Sequence, residues 1–136
     1  MGIDVRISTE LLAQITAEAA RSPDVEVCGL LLGTTGMVEV IEPCTNVAAD
    51  PARRFEIEPV RLLGAHRRAR AGGPAVVGHY HSHPTGTARP SPRDAADAAA
   101  DGSLWLIVGG GEVTAWRAVR DGEVEGRFTA VVLHPS

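Results

Sequence analysis

Apolar and charged residues alternate from Ile3 to Ile7, the two-residue rhythm of a short half-buried strand. At Ser8 the rhythm changes. Leu11, Leu12, Ile15, Ala19 and Ala20 recur at helical spacing, Ser8 is placed to cap the helix, and Ser22-Pro23 stops it. Val27 to Gly33 and Met37 to Ile41 are strand-like runs joined by Thr34-Thr35-Gly36, which predicts a hairpin. Asn46 to Arg54 is a polar surface loop that leads into Phe55-Glu56-Ile57. A second helix is expected from Pro59 to Arg70, ended by Gly72-Gly73-Pro74.

The second half begins with Ala75 to Ser82, apolar and then histidine-rich, which is read as a central strand. Pro84 to Pro92 is a loop. An alanine-rich helix is expected from Pro92 to Ala100, stopped by Asp101-Gly102. Leu104 to Val108 is a near-continuous apolar strand, and Gly109 to Gly111 turns the chain into Val113 to Val119. Asp121-Gly122 is a hairpin turn signal before a last strand, Glu123 to Leu133. Mixed helices and strands with hairpins at both ends predict a single α/β domain over 1–136, layered around a mixed sheet.

Composition adds exclusions. The chain has 136 residues, 44% hydrophobic and 22% charged, which is enough to build a core without disulfide staples. All 13 cations are arginine, so a Schiff base or a Ser–Lys pair is excluded. A net charge of −4 argues against nucleic acid as the main partner. The arginines at 61, 67, 68 and 70 fit the solvated face of a helix, with an anionic docking patch as the alternative. Cys28 and Cys44 make no CxxC pair, and Cys28 lies inside an apolar run where a small buried residue is the simpler reading than a nucleophile. No signal-peptide pattern or bilayer-length apolar run is visible, position 6 is Arg where myristoylation wants Ser or Thr, and a cytoplasmic location is expected.

The chemistry gathers in GHYHSHPTGTARPSPRDAADA. Residues two apart on a strand share a face about 6–7 Å apart, so His81 and His83 can aim two imidazoles at one ion. Zinc accepts imidazole nitrogen and carboxylate oxygen, and a catalytic site keeps three protein ligands and one open position. Asp94 is the third candidate, carried back over the strand end by the proline loop. His79 shares the strand parity and competes for that place, or else lines the site. Ser91-Pro92-Arg93-Asp94 also reads as a helix start, with Ser91 as cap and an acid at the third position. Capping and ligation are compatible. H-E-x-x-H and the H-x-E with P-C-x-x-C of zinc deaminases are both absent.

At these residues the sequence resembles the JAMM (MPN-plus) zinc metallopeptidases. Their pattern is an upstream glutamate, then H-x-H, seven residues, S, two residues and D; it is met by Glu26, His81, His83, Ser91 and Asp94. EVCGLLLG and TNVAADPARRFEIEP also resemble the family's first strand and connecting stretch. The resemblance implies the MPN, cytidine-deaminase-like α-β-α sandwich. It implies one zinc ion per chain on His81, His83 and Asp94, with Glu26 as the proton carrier for an attacking water and Ser91 as a hydrogen-bond donor. The short span from Glu26 to His81 leaves no room for the insertions of relatives that cleave polyubiquitin. The chain is thus similar to small prokaryotic members, which implies hydrolysis of an amide after the Gly-Gly tail of a ubiquitin-like or sulfur-carrier protein. Neither a nucleic-acid nor a membrane partner is expected, and a homo-oligomer is compatible. A non-catalytic scaffold of the same fold is the alternative.

Overall fold

A computed structural model describes residues 4–136; Met1, Gly2 and Ile3, the first residue of the expected opening strand, lie outside them. Ten elements follow in the order β1 (Asp4–Ile7), α1 (Thr9–Arg21), β2 (Cys28–Thr34), β3 (Met37–Cys44), α2 (Pro59–Arg70), β4 (Ala75–Ser82), α3 (Pro92–Asp97), β5 (Leu104–Gly109), β6 (Glu112–Gly122) and β7 (Gly126–Pro135). The mixed α/β architecture is the one expected from the sequence. β2 lies between β3 and β4 and is antiparallel to both, β4 and β5 run parallel, and β5, β6 and β7 form an antiparallel meander. β1 pairs in parallel with both β3 and β7, so the sheet closes on itself. That closure has no local signature in the pattern.

Strand alternation decides which helix covers which face. Leu31, Tyr80, Leu104, Leu106 and Val108 point to the face covered by Ile15 of α1, with Leu11, Leu12 and Ala19 packed beside them. Their neighbours point the other way. Trp105, Ile107, Trp116 and Phe128 pack with Ala95 and Ala98 at α3, while Leu30 and Leu32 pack on Ala65 of α2. Ser8 caps α1 by accepting the Leu11 N–H at 3.1 Å. Gly29 leaves room for the buried Tyr80 ring, which lies where a Cβ would be, and the Tyr80 hydroxyl donates to Glu18 Oε1 of α1 at 2.6 Å.

Several boundaries move. β3 runs on to Cys44, because Cys28 pairs with Cys44 and extends the ladder past Ile41. α3 stops at Asp97 instead of Ala100: Ala98 turns extended (ψ 135°) and packs toward the Trp105 cluster. The last hairpin turns at 123–125 and not at Asp121-Gly122, since Gly122 still pairs with Gly126. Val124 folds inward against Phe128, and Asp121 and Glu125 take up the positive φ. His66 and His134 are exposed, as expected. Among the described residues no helix is long and apolar enough to cross a membrane.

Candidate metal centre

The histidines lie at the C-terminal end of β4, on the face opposite Tyr80. His81 pairs with Cys28 of β2 and Ile107 of β5, which buries it completely. The bonding continues one step beyond His81, to Ser82, whose N–H donates to Val27 O at 3.1 Å and whose Oγ accepts the Val27 N–H at 2.9 Å. By the same register Glu26 falls opposite His83.

α3 carries Asp94 to this strand end through a capping box. Ser91 Oγ accepts the Asp94 N–H, and the Ser91 N–H donates to Asp94 Oδ2, each at 3.0 Å. Helix capping and carboxylate placement are thus one set of bonds. His81 Nε2 and His83 Nε2 are 3.0 Å apart, Asp94 Oδ1 is 3.2 Å from the first and Asp94 Oδ2 is 3.1 Å from the second. These three residues are the His/Cys/Asp/Glu group among the described residues that could hold a metal ion.

The spacing tests the fit. Three ligands about 2 Å from one ion at tetrahedral angles stand about 3.3 Å from one another, and the observed separations of 3.0 to 3.2 Å approach that triangle. His83 Nδ1 lies 2.8 Å from Thr87 O, which fixes the proton on Nδ1 and leaves the Nε2 lone pair free for an ion. Two imidazole nitrogens and a carboxylate are a donor set that zinc accepts.

Burial works against ionising Asp94, yet its hydrogen bonds with His81 and His83, their charge and the Ser91 N–H hold the carboxyl well below the usual carboxylate range. Burial also pushes the His81 imidazolium down, opposed by Asp94, so the ring favours its neutral form. His83 goes up despite burial, through Asp94 and the Thr87 carbonyl. Burial pushes Glu26 up to about 7; His83 opposes this and Asp94 adds to it. Glu26 Oε1 is buried without a partner, as a group poised to take a proton would be.

His79 is not part of the ligand triangle. Its ring meets Trp105 edge-on at 4.3 Å and tilts against Phe55 at 5.3 Å. Burial and the neighbouring His81 push it down to about 3, so it stays neutral as an aromatic wall. Cys28 is a free buried thiol pushed up to about 12 by burial, which fits packing better than nucleophilic attack. Three contributors escaped sequence reasoning. Phe55 stacks on His81 with ring centroids 4.3 Å apart, Ser82 staples β2 to the histidine strand, and Thr87 orients His83 through its carbonyl. Only Phe55 left a trace, as the apolar residue that ends a polar loop.

A family profile of prokaryotic homologs of the JAB domain matches residues 8–120. The chain belongs to this prokaryotic branch of the JAMM/MPN family. It is therefore a JAMM-type hydrolase by descent. A desampylase of Haloferax volcanii is 34% identical over 99 residues, 71% of each chain. A probable TtuB-protein conjugate cleaving protease of Thermus thermophilus is 34% identical over 97 residues, 71% of this chain and 65% of that one. The crystal structure of a JAB1/MPN domain protein from Archaeoglobus fulgidus superposes with a TM-score of 0.61 at 19% identity, over 98% of this chain and 100% of that one, and so shares the fold.

Proposed function

We propose that this JAMM-family chain is a zinc-dependent peptidase or isopeptidase that cleaves the amide bond after the Gly-Gly tail of a ubiquitin-like or sulfur-carrier protein. The observation that carries the reading is the triangle of His81 Nε2, His83 Nε2 and the Asp94 carboxylate, with Glu26 one strand away. Two relatives add to it, one named as a desampylase and one as a protease of TtuB–protein conjugates. His81, His83 and Asp94 would hold one zinc ion. A bound zinc supplies Lewis acidity toward the scissile carbonyl and acidifies a water molecule.

The chain's own groups do the rest. Glu26 takes a proton at Oε1 from the attacking water and passes it to the departing amine. The Ser91 hydroxyl already accepts from the Asp94 N–H, so its own proton points elsewhere and is free to donate to the oxyanion of the scissile carbonyl. Asp94 stays ionised throughout, and Phe55 with Trp105 keeps bulk water from the His81 face. A scaffold without chemistry would have no use for a Glu26 carboxylate oxygen buried without a partner beside the triangle.

The decisive assay incubates the zinc-loaded protein with a Gly-Gly-ended carrier joined to an amine. Cleavage should stop with a chelator and return with zinc, and Glu26→Ala should keep its zinc while losing turnover. Chelator-resistant cleavage, or full turnover by Glu26→Ala, would sink the mechanism.

A further inference from the structure

The paired residues of β2 end at Cys28 and Val27 is tied to Ser82 just before it, so Glu26 is the residue at which bonding to the histidine strand stops. Its own N–H and C=O are held by the strap between β3 and α2. The Glu26 N–H donates to Pro51 O at 2.7 Å, and Glu26 O accepts from Asn46 Nδ2 at 2.9 Å. Asn46 is the buckle of that strap. The same Nδ2 donates to Arg54 O at 3.1 Å, while Oδ1 accepts the Ala48 N–H at 3.0 Å and the Glu56 N–H at 3.1 Å. Two carbonyls on one side and two N–H groups on the other admit a single orientation of the amide. The flanking residues Asn46 and Ile57 close the strap with an antiparallel bridge.

Phe55 leaves this strap between Arg54 and Glu56, both bonded to Asn46, and lies on His81. Arg54 itself reaches Asp97 of α3 at 4.0 Å. One amide therefore ties the backbone beneath Glu26 to the residue that backs His81.

Resting on the peptidase reading above, we infer that Asn46 is a positioning residue for the reaction: it fixes the direction of Glu26 and, through Phe55, the plane of His81, without touching either metal or substrate. Asparagine alone among the common side chains supplies this set, with two donors and one doubly accepting oxygen on a short stem. Aspartate keeps the acceptor half, so it preserves the strap's bonds to Ala48 and Glu56 and loses those to Glu26 and Arg54.

The test uses the full chain, metal-free and zinc-loaded, as Asn46→Ala and Asn46→Asp. Amide hydrogen exchange on the metal-free protein should speed up at least about tenfold at Glu26 in both variants, with Leu30 to Leu32 in β2 unchanged. In Asn46→Asp the Ala48 and Glu56 amides should keep their protection, which guards against a variant that merely unfolds. In the zinc-loaded protein, kcat per bound zinc should fall about tenfold or more, while KM stays within about threefold and zinc content is unaltered. A merely structural asparagine would lower Tm and leave kcat per bound zinc within about twofold of the parent; that result overturns the inference, as does unchanged exchange at Glu26. If the parent cleaves no Gly-Gly amide, the peptidase reading fails, and the exchange at Glu26 alone decides whether Asn46 holds it.

Discussion

Phe55 lies nearly flat on His81, with the ring planes 19° apart, and this contact does for His81 what a hydrogen bond does for His83. The second nitrogen of a metal histidine ordinarily donates to an oxygen that fixes the ring. His83 follows that rule through Thr87 O, whereas His81 Nδ1 is buried without a partner. Phe55→Ala should therefore weaken zinc binding about tenfold or more, within the range of losses at groups that orient ligands. Competition against a chromophoric chelator measures it, and an unchanged affinity would show that packing on the Trp105 side suffices.

Glu26 gives a pH signature in the metal-free protein. Its folded value of about 7 stands above the unfolded 4.5, so the folded state binds the extra proton between those limits. The stability this contributes is full below about 4.5 and lost as the pH rises through about 7. Glu26→Gln should remove that loss and be more stable than the parent at pH 8, by on the order of 2 kcal/mol at most. His81 and His83 titrate nearby in both proteins, so the comparison is read as the difference between two denaturation series. A parent whose difference from the variant stays constant across this window would contradict the burial of Glu26.

Ser91 has two duties that substitutions can separate. Loss of the cap in Ser91→Ala should cost about 1 kcal/mol, and loss of an oxyanion donor should cost on the order of 100-fold in kcat. Ser91→Thr should recover both. Ser91→Asp restores an acceptor for the Asp94 N–H but cannot donate, so its Tm should recover and its turnover should not. Equal turnover in the threonine and aspartate variants would remove the hydroxyl from the chemistry.

Arg117 offers a control away from the site. It is buried at the other end of β5 and β6, where Nη1 donates to Gly102 O at 3.2 Å and Nη2 to Thr35 O at 2.6 Å. Arg117→Leu should destabilise the fold by about 2 kcal/mol, by removing two hydrogen bonds from a charged donor that tie Gly102 and Thr35 to β6. Turnover per folded molecule should hold, and a loss of kcat without a loss of Tm would show that the two ends of the sheet are coupled.

The helices and most strands were legible because each carries its own period or stop signal, as Ser8, Ser22-Pro23 and the Gly72-Gly73-Pro74 run do. The five candidate site residues were legible through their fixed spacing, and the structure brings His81, His83 and Asp94 to one point. What stayed hidden depends on contacts between distant segments. β1 gives no sign that it will pair with β7, the polar loop gives no sign that Asn46 will bond Glu26, and Thr87 acts through a carbonyl that every residue possesses. The turn at 123–125 was misplaced because Asp121-Gly122 is the stronger local signal, and the burial of Val124 overrode it.

The closure of the sheet through β1 also sets an order of events. Its partners in β7, Val132 to Pro135, lie almost the whole sequence away from Asp4 to Ile7, so the loop that joins them is the costliest the chain has to close. The three metal-binding candidates, by contrast, span only 81–94. Asp94, however, rides on α3, whose Ala95 and neighbouring Ala98 pack in the cluster that contains Phe128 of β7, so the ligand triangle is seated only once that strand is in place. Stability of this enzyme is therefore expected to hinge on the β1–β7 seam, and its loss should open the sheet while β7 stays on β6.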